Sequence, residues 1–136
     1  LSIEDINLKI LATICYEIIY AGRINSQEDY DFIINISEDG WFGNSIGPHQ
    51  HYAHSIFRSI ELGKTLIRSA NNGISAIINP NGGVKSILDL KEIGLIYTTD
   101  IKHKDTLFAK FGNKMYLGLI FVYIFLILSI RNFDHE

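Results

Sequence analysis

The chain has 136 residues, 47% of them hydrophobic and 20% charged, which is the composition of one small folded unit and excludes a disordered or collagen-like polymer. Its net charge of -3, without any Lys/Arg run, leaves no electrostatic footprint for a nucleic-acid backbone. A single cysteine, Cys15, excludes an internal disulfide; with Leu1 first and Met115 the only methionine, the start is neither a normal initiator nor a signal peptide, and an upstream segment is expected.

In chain order, Lys9 to Ile14 is apolar and β-branched, which predicts a strand ending at Cys15, and Glu17 to Ile24 is expected to continue as a helix. The thiol therefore falls on a strand-to-helix corner. A polar connection over residues 25–30 leads to a buried strand from Asp31 to Ser37 and then to the loop Glu38 to Gly47. Pro48 stands where a first-turn proline belongs. From His49 to Lys64 the apolar residues Tyr52, Ile56 and Ile60, with Ala53 and Phe57 one turn offset, predict a helix packed on a sheet. Thr65 to Ala70 reads as a strand, Asn71-Asn72-Gly73 as a turn, and Ile74–Pro80 with Val84–Leu90 as a hairpin across Asn81-Gly82-Gly83. Glu92 to Ile101 is expected to add a strand. The pattern is that of an α/β layered sandwich whose sheet is incomplete for a self-contained domain.

Apolar residues then condense into Met115 to Ile130, with Lys114 before and Arg131 after. The run is a little shorter than the roughly 20 residues that cross about 30 Å of hydrocarbon. Snorkelling by Lys114 and Arg131, with Tyr116 and Phe133 near the edges, would close the gap. Apolarity on every side favours a membrane span over a core helix.

At its corner, Cys15 meets a helix dipole and free backbone N–H groups that favour thiolate over thiol, so it is a candidate nucleophile; the alternative is a small core residue. Gly43-Asn44-Ser45-Ile46-Gly47 matches the G-x-S-x-G elbow of serine hydrolases, and Asp89 and His103 follow in triad order. That elbow needs a strand running straight into its first glycine. Here Asp39 to Phe42 intervene and Pro48 follows, so Ser45 is given a loop or cap role and the serine-hydrolase reading stays remote. His49, His51 and His54 have neither a cysteine nor a well-placed carboxylate to complete a tetrahedral shell, so they read as a solvated or headgroup-facing cluster rather than a metal site. Arg58 and Glu61, one turn apart, read as an ion pair that docks the helix, with Arg68 in the same set and no chemistry assigned to any of them.

Ile14 to Tyr20, Ile34 to His51, Arg58 to Gly82 and the terminal hydrophobic helix resemble, in that order, the second half of apolipoprotein N-acyltransferases, a membrane branch of the nitrilase superfamily. The most specific pieces are Cys15-Tyr16-Glu17, the S-x-D-G-W-F-G loop at 37–43 and R-S-A-N-N-G-I-S at 68–75. The resemblance implies a partial nitrilase-type α-β-β-α sandwich over residues 1–106, followed by one C-terminal transmembrane helix within 107–136. It also implies ping-pong acyl transfer without a cofactor. Cys15 would take an acyl chain from a membrane phospholipid as a thioester and pass it to the N-terminal amine of a diacylglyceryl-cysteine lipoprotein. In such a site the backbone N–H of Tyr16 donates to the oxyanion, Glu17 supports the thiol and Trp41 lines the substrate entrance. On residue type alone, Glu17 could equally be an exposed first-turn carboxylate and Trp41 a core aromatic.

The family's triad is Glu, Lys and Cys in chain order, with the first two well upstream. Glu4 and Lys9 are the only residues of those types before Cys15; lying in or beside the strand that leads to it, they are given neither role. Losing a base costs about 10² to 10⁴ in rate and losing an oxyanion donor about 10² to 10³. The chain alone is thus expected to be nearly inactive, either completed by a separate N-terminal half or remaining an inactive membrane-anchored fragment. Ala21, where the family usually has proline, and Glu38, where asparagine is common, depart from the pattern. Lys102, Lys104, Lys110 and Lys114 ahead of the hydrophobic run would by themselves place the domain in the cytoplasm. The resemblance places it on the periplasmic face of a bacterial inner membrane, and that placement is adopted. The expected partners are phospholipid, lipoprotein and the lipid bilayer.

Overall fold

The computed structural model describes residues 2–3, 8–22 and 29–133, with side chains for 8–22 and 29–130. Glu4, Arg23, Ile24 and most of the connection 25–30 lie outside these residues; the helix expected from Glu17 to Ile24 stops at Ile19, beyond which Tyr20 is extended and residues 21–22 turn.

β1 (Ser2–Ile3), β2 (Leu8–Ile14), β3 (Phe32–Glu38), β4 (Leu66–Asn71), β5 (Ser75–Ile78) and β6 (Val84–Leu88) form a mixed sheet in the order β1-β2-β3-β4-β5-β6. β2, β3 and β4 run parallel, with Ile10 opposite Phe32 and Ile33 opposite Leu66; the connection from β3 to β4 crosses a face of the sheet, as a parallel pair requires. β5 and β6 return antiparallel through short turns. The hairpin turn closes through Asn79 N–H to the Gly83 carbonyl at 2.9 Å, with Gly82 at φ 82, a conformation that suits glycine.

The crossover from β3 to β4 carries α1 (Gly47–Leu62), which has Pro48 in its first turn and ends at Gly63 with φ 62. A Cβ at Gly63 would lie 1.8 Å from the Lys104 carbonyl oxygen, because the segment after β6 returns across this end of the helix. There Lys104 N–H donates to Gly63 and Thr65 N–H to Lys102. The core beneath α1 comprises Ile18, Tyr30, Ile33, Leu62, Leu66, Ala76 and Ile78, with Tyr52 and Ile56 packed against it. Burial pushes the Tyr30 hydroxyl up to about 12. This mixed α/β layer fits a nitrilase-type fold; one sheet, not two, is present among the described residues.

Three further expectations need correction. Ile60 and Phe57 are exposed, and the most buried stripe of α1 is His51, Ser55, Ser59 and Leu62, so the helix turns a polar edge toward the sheet. Glu92 to Ile101 forms no strand: Ile93, Leu95 and Tyr97 stand in solvent, and the segment meets β6 through side chains, Lys85 Nζ donating to Thr98 Oγ1 at 2.9 Å, not through a backbone ladder.

The third concerns the membrane. α2 (Leu107–Phe111), whose Thr106 side chain caps the Ala109 N–H, is followed by α3 (Lys114–Phe133), apolar and exposed along most of its length. Among the described residues no helix is long and apolar enough to cross a membrane. The part of α3 whose side chains are described is 114–130. The side chains of Arg131 and Phe133, the expected outer anchors, lie beyond it.

Candidate active site

β2 delivers Cys15 to the sheet edge, where a short 3-10 helix, Cys15–Ile19, begins at once. The expected strand-to-helix corner is therefore present, and its backbone is unusual: Cys15 sits at φ 49, in the left-handed region that a non-glycine residue enters at a cost of about 1–3 kcal/mol. Such a conformation persists where neighbours over-determine it. The Cys15 carbonyl faces Asn35 Nδ2 at 3.4 Å and His51 Nε2 at 3.2 Å, and Sγ lies 3.7 Å from the oxygen of the Ser37 hydroxyl, whose one proton goes to Asp39. Tyr16 N–H opens the first turn, where backbone donors have no partner within a helix. The Tyr16 ring lies 5.1 Å from the His51 ring and 6.0 Å from that of Phe42. The exposed Glu17 carboxylate accepts the Ile14 N–H at 2.7 Å, closing the turn on itself as a first-turn carboxylate does.

Beneath the corner lies a cluster of polar side chains, all buried. Asp39 Oδ2 pairs with Arg68 at 2.7 Å, while its Oδ1 takes His51 Nδ1 at 2.8 Å and the Ser37 hydroxyl at 2.7 Å. Arg68, 1% exposed, also donates to the Ile74 carbonyl at 3.1 Å, to Ser55 Oγ at 3.4 Å and, through a short bond, to Asn35 Oδ1. Asn35 in turn donates to Thr13 Oγ1 at 3.2 Å. Burial pushes the Asp39 carboxyl upward, but the bonds from His51 and Ser37 and the Arg68 charge outweigh it, and the net shift is down. Burial draws the Arg68 guanidinium down, against the charge of Asp39. The turn Asn71-Asn72-Gly73 closes over this pair. A Cβ on Gly73 would lie 2.3 Å from Asp39 Oδ2, so the turn must carry glycine at its third position.

Trp41, in the 3-10 turn Gly40–Phe42, is 88% exposed, which excludes a core aromatic and leaves its ring available beside the corner's loop. Glu38 anchors that loop, accepting from Asn71, Asn72 and the Gly40 N–H; these bonds hold its carboxyl below the usual range. An open cleft of about 690 Å³ runs past Gly40, Gly43, Ser45, His49, Asn72 and Lys91.

The serine-hydrolase residues are not brought together. Ser45 Oγ accepts the Gly47 N–H at the start of α1, and Asp89 accepts the N–H of Leu90. His103 pairs with Lys64 beyond the other end of α1, whose 16 residues span roughly 24 Å. Of the three histidines, His49 is exposed and His54 half-buried, whereas His51 is internal, contrary to the expectation of a solvated cluster. Among the described residues no group of three His, Cys, Asp or Glu is placed to hold a metal ion. Arg58 and Glu61 pair at 3.0 Å as expected, but Arg68 belongs to the Asp39 cluster and not to that pair.

Asp39, His51, Arg68 and Asn35 were not singled out from sequence as site residues, although two signals pointed to them. Asn35 follows the apolar run Phe32–Ile34 and Arg68 the pair Leu66-Ile67 inside strands, and His51, Ser55 and Ser59 recur at four-residue spacing.

The carbon-nitrogen hydrolase family model matches residues 3–106. An apolipoprotein N-acyltransferase from Rickettsia bellii (strain RML369-C) is 45% identical over 128 residues, covering 92% of this chain and 26% of the relative. Those from Rickettsia prowazekii (strain Madrid E), 41% identical over 88% of this chain and 25% of the relative, and Wigglesworthia glossinidia brevipalpis, 52% identical over 47% of this chain and 13% of the relative, are also similar. The chain spans about a quarter of the length of the Rickettsia relatives it matches.

Proposed function

The chain belongs to the carbon-nitrogen hydrolase family, and on that premise we propose that it is the nucleophile-bearing part of an apolipoprotein N-acyltransferase. One observation carries the reading: the single cysteine sits in a left-handed corner tied from below by a buried polar cluster, within a stretch 45% identical to such an enzyme.

Two steps balance. The general base takes the Cys15 thiol proton and the thiolate attacks the sn-1 ester carbonyl of a phospholipid; the S–C bond forms, the ester C–O bond breaks, and the lysophospholipid alkoxide leaves with the proton that the base held. The α-amine of a diacylglyceryl cysteine then attacks the thioester, the C–S bond breaks, and the amine proton goes to base as the thiolate returns. Tyr16 N–H donates to the oxyanion of each tetrahedral intermediate. Glu17 supports the corner by holding the Ile14 N–H, and Trp41 offers an apolar face to the entering chain. No cofactor or metal takes part. The general base and the lysine donor are assigned to polypeptide outside these 136 residues, consistent with a chain spanning a quarter of its relatives. Residues 1–106 thus form the C-terminal part of the catalytic, nitrilase-type domain. α3 buries its exposed apolar surface in the bilayer at the periplasmic face of a bacterial inner membrane, next to the acyl donor.

A transfer assay tests this reading. Phospholipid vesicles carrying the chain joined to its upstream polypeptide are given a synthetic diacylglyceryl-cysteine peptide, which mass spectrometry should find with a third acyl chain. Cys15→Ser should yield none; acylation that persists in this variant rejects the proposal.

A further inference from the structure

A backbone at φ 49 on a cysteine relaxes unless something holds the carbonyl that follows it. Two side chains from different elements do so, Asn35 from β3 and His51 from α1. Both are buried, and His51 has its Nδ1 fixed 2.8 Å from an Asp39 carboxylate that Arg68 and Ser37 also hold. Its Nε2 edge then points at the Cys15 carbonyl, 3.2 Å away. A carbonyl only accepts, so the Nε2 edge makes this bond as a donor, while Nδ1 faces Asp39 Oδ1 and, at 3.2 Å, the Arg68 guanidinium.

We infer that His51 is a positioning residue for Cys15: its Nε2 edge clamps the carbonyl of the left-handed corner and so presents the thiol, while its Nδ1 edge anchors the ring on Asp39. The inference rests on Cys15 being the nucleophile of the reaction proposed above. It differs from a purely structural role, in which the bond to Asp39 would be the contact that matters.

The two edges can be separated, because a glutamine amide places its nitrogen near Nε2 and an asparagine amide near Nδ1. Since Cys15 is the only cysteine, its alkylation by iodoacetamide reports on the corner without any acyl donor. On the full chain at one fixed pH, His51→Gln should alkylate within about threefold of the parent, and His51→Asn about tenfold more slowly, the equivalent of one lost hydrogen bond. Thermal melts run alongside. A His51→Asn chain that unfolds where His51→Gln folds also assigns the weight to the carbonyl contact. Equal rates in the two variants, or His51→Asn closer to the parent, overturn the inference. Failure of the transfer assay above, with the Gln and Asn rates still split, would reject the acyltransferase reading and leave the clamp standing.

Discussion

Beneath Cys15 and along α3 the chain inverts the usual distribution of polarity in opposite ways. Under the corner, Asp39, Arg68, His51 and Asn35 are buried and bonded to one another; on α3, residues from Leu117 to Leu128 expose apolar side chains over several turns. A buried charge is tolerated where partners replace its lost hydration, and an exposed apolar surface where something other than water covers it. The first region is therefore closed and internally complete, and the second is completed from outside. The cluster serves the chain's geometry, and the helix serves its surroundings.

That contrast breaks most visibly in the cluster. Arg68→Leu leaves the Asp39 carboxylate buried without its cation and should cost about 3–5 kcal/mol in urea unfolding, a large share of the stability of a small domain. A loss below about 1 kcal/mol would mean that the pair is solvated in solution. Gly73→Ala comes next. Its new methyl would meet Asp39 Oδ2, so the turn or the pair must shift, at about 1–3 kcal/mol by the same measurement.

A pH titration of the melting temperature sharpens the point with a smaller effect. The Asp39 carboxyl is net lowered in the fold, so its contribution is fully present above the ordinary aspartate value of about 3.9 and is lost as pH falls through the lower folded value. The parent should lose stability on that acid side, and Asp39→Asn should show a flatter acid limb from a lower starting point. The smallest effect belongs to the other region. Phe121→Ser on α3 should change unfolding by no more than about 0.5 kcal/mol. It should nonetheless weaken flotation with phospholipid vesicles about tenfold, through the apolar area removed from lipid. A stability loss with unchanged flotation would place α3 inside the fold.

The strands and α1 were legible because their period and punctuation are local: alternating apolar runs, Pro48 in a first turn and Asn81-Gly82-Gly83 between two strands. Glu92 to Ile101 misled because β-propensity does not by itself make a backbone ladder, which is a tertiary property. The corner at Cys15 was visible as a junction, but its positive φ was not, since nothing in a cysteine's identity signals it. The cluster was hidden for the same reason. Asp39, His51 and Arg68 are 12 to 29 residues apart in pairs, and only the β3–α1–β4 crossover brings them together.

The nucleophilic role of Cys15 is most directly tested by peptide-level mass analysis after incubation with phospholipid, the upstream polypeptide being present. The account predicts one acyl group on the Cys15 peptide, released by hydroxylamine as a thioester and absent from Cys15→Ser. A parent chain that stays unacylated, or an adduct that resists hydroxylamine or survives in Cys15→Ser, would contradict it.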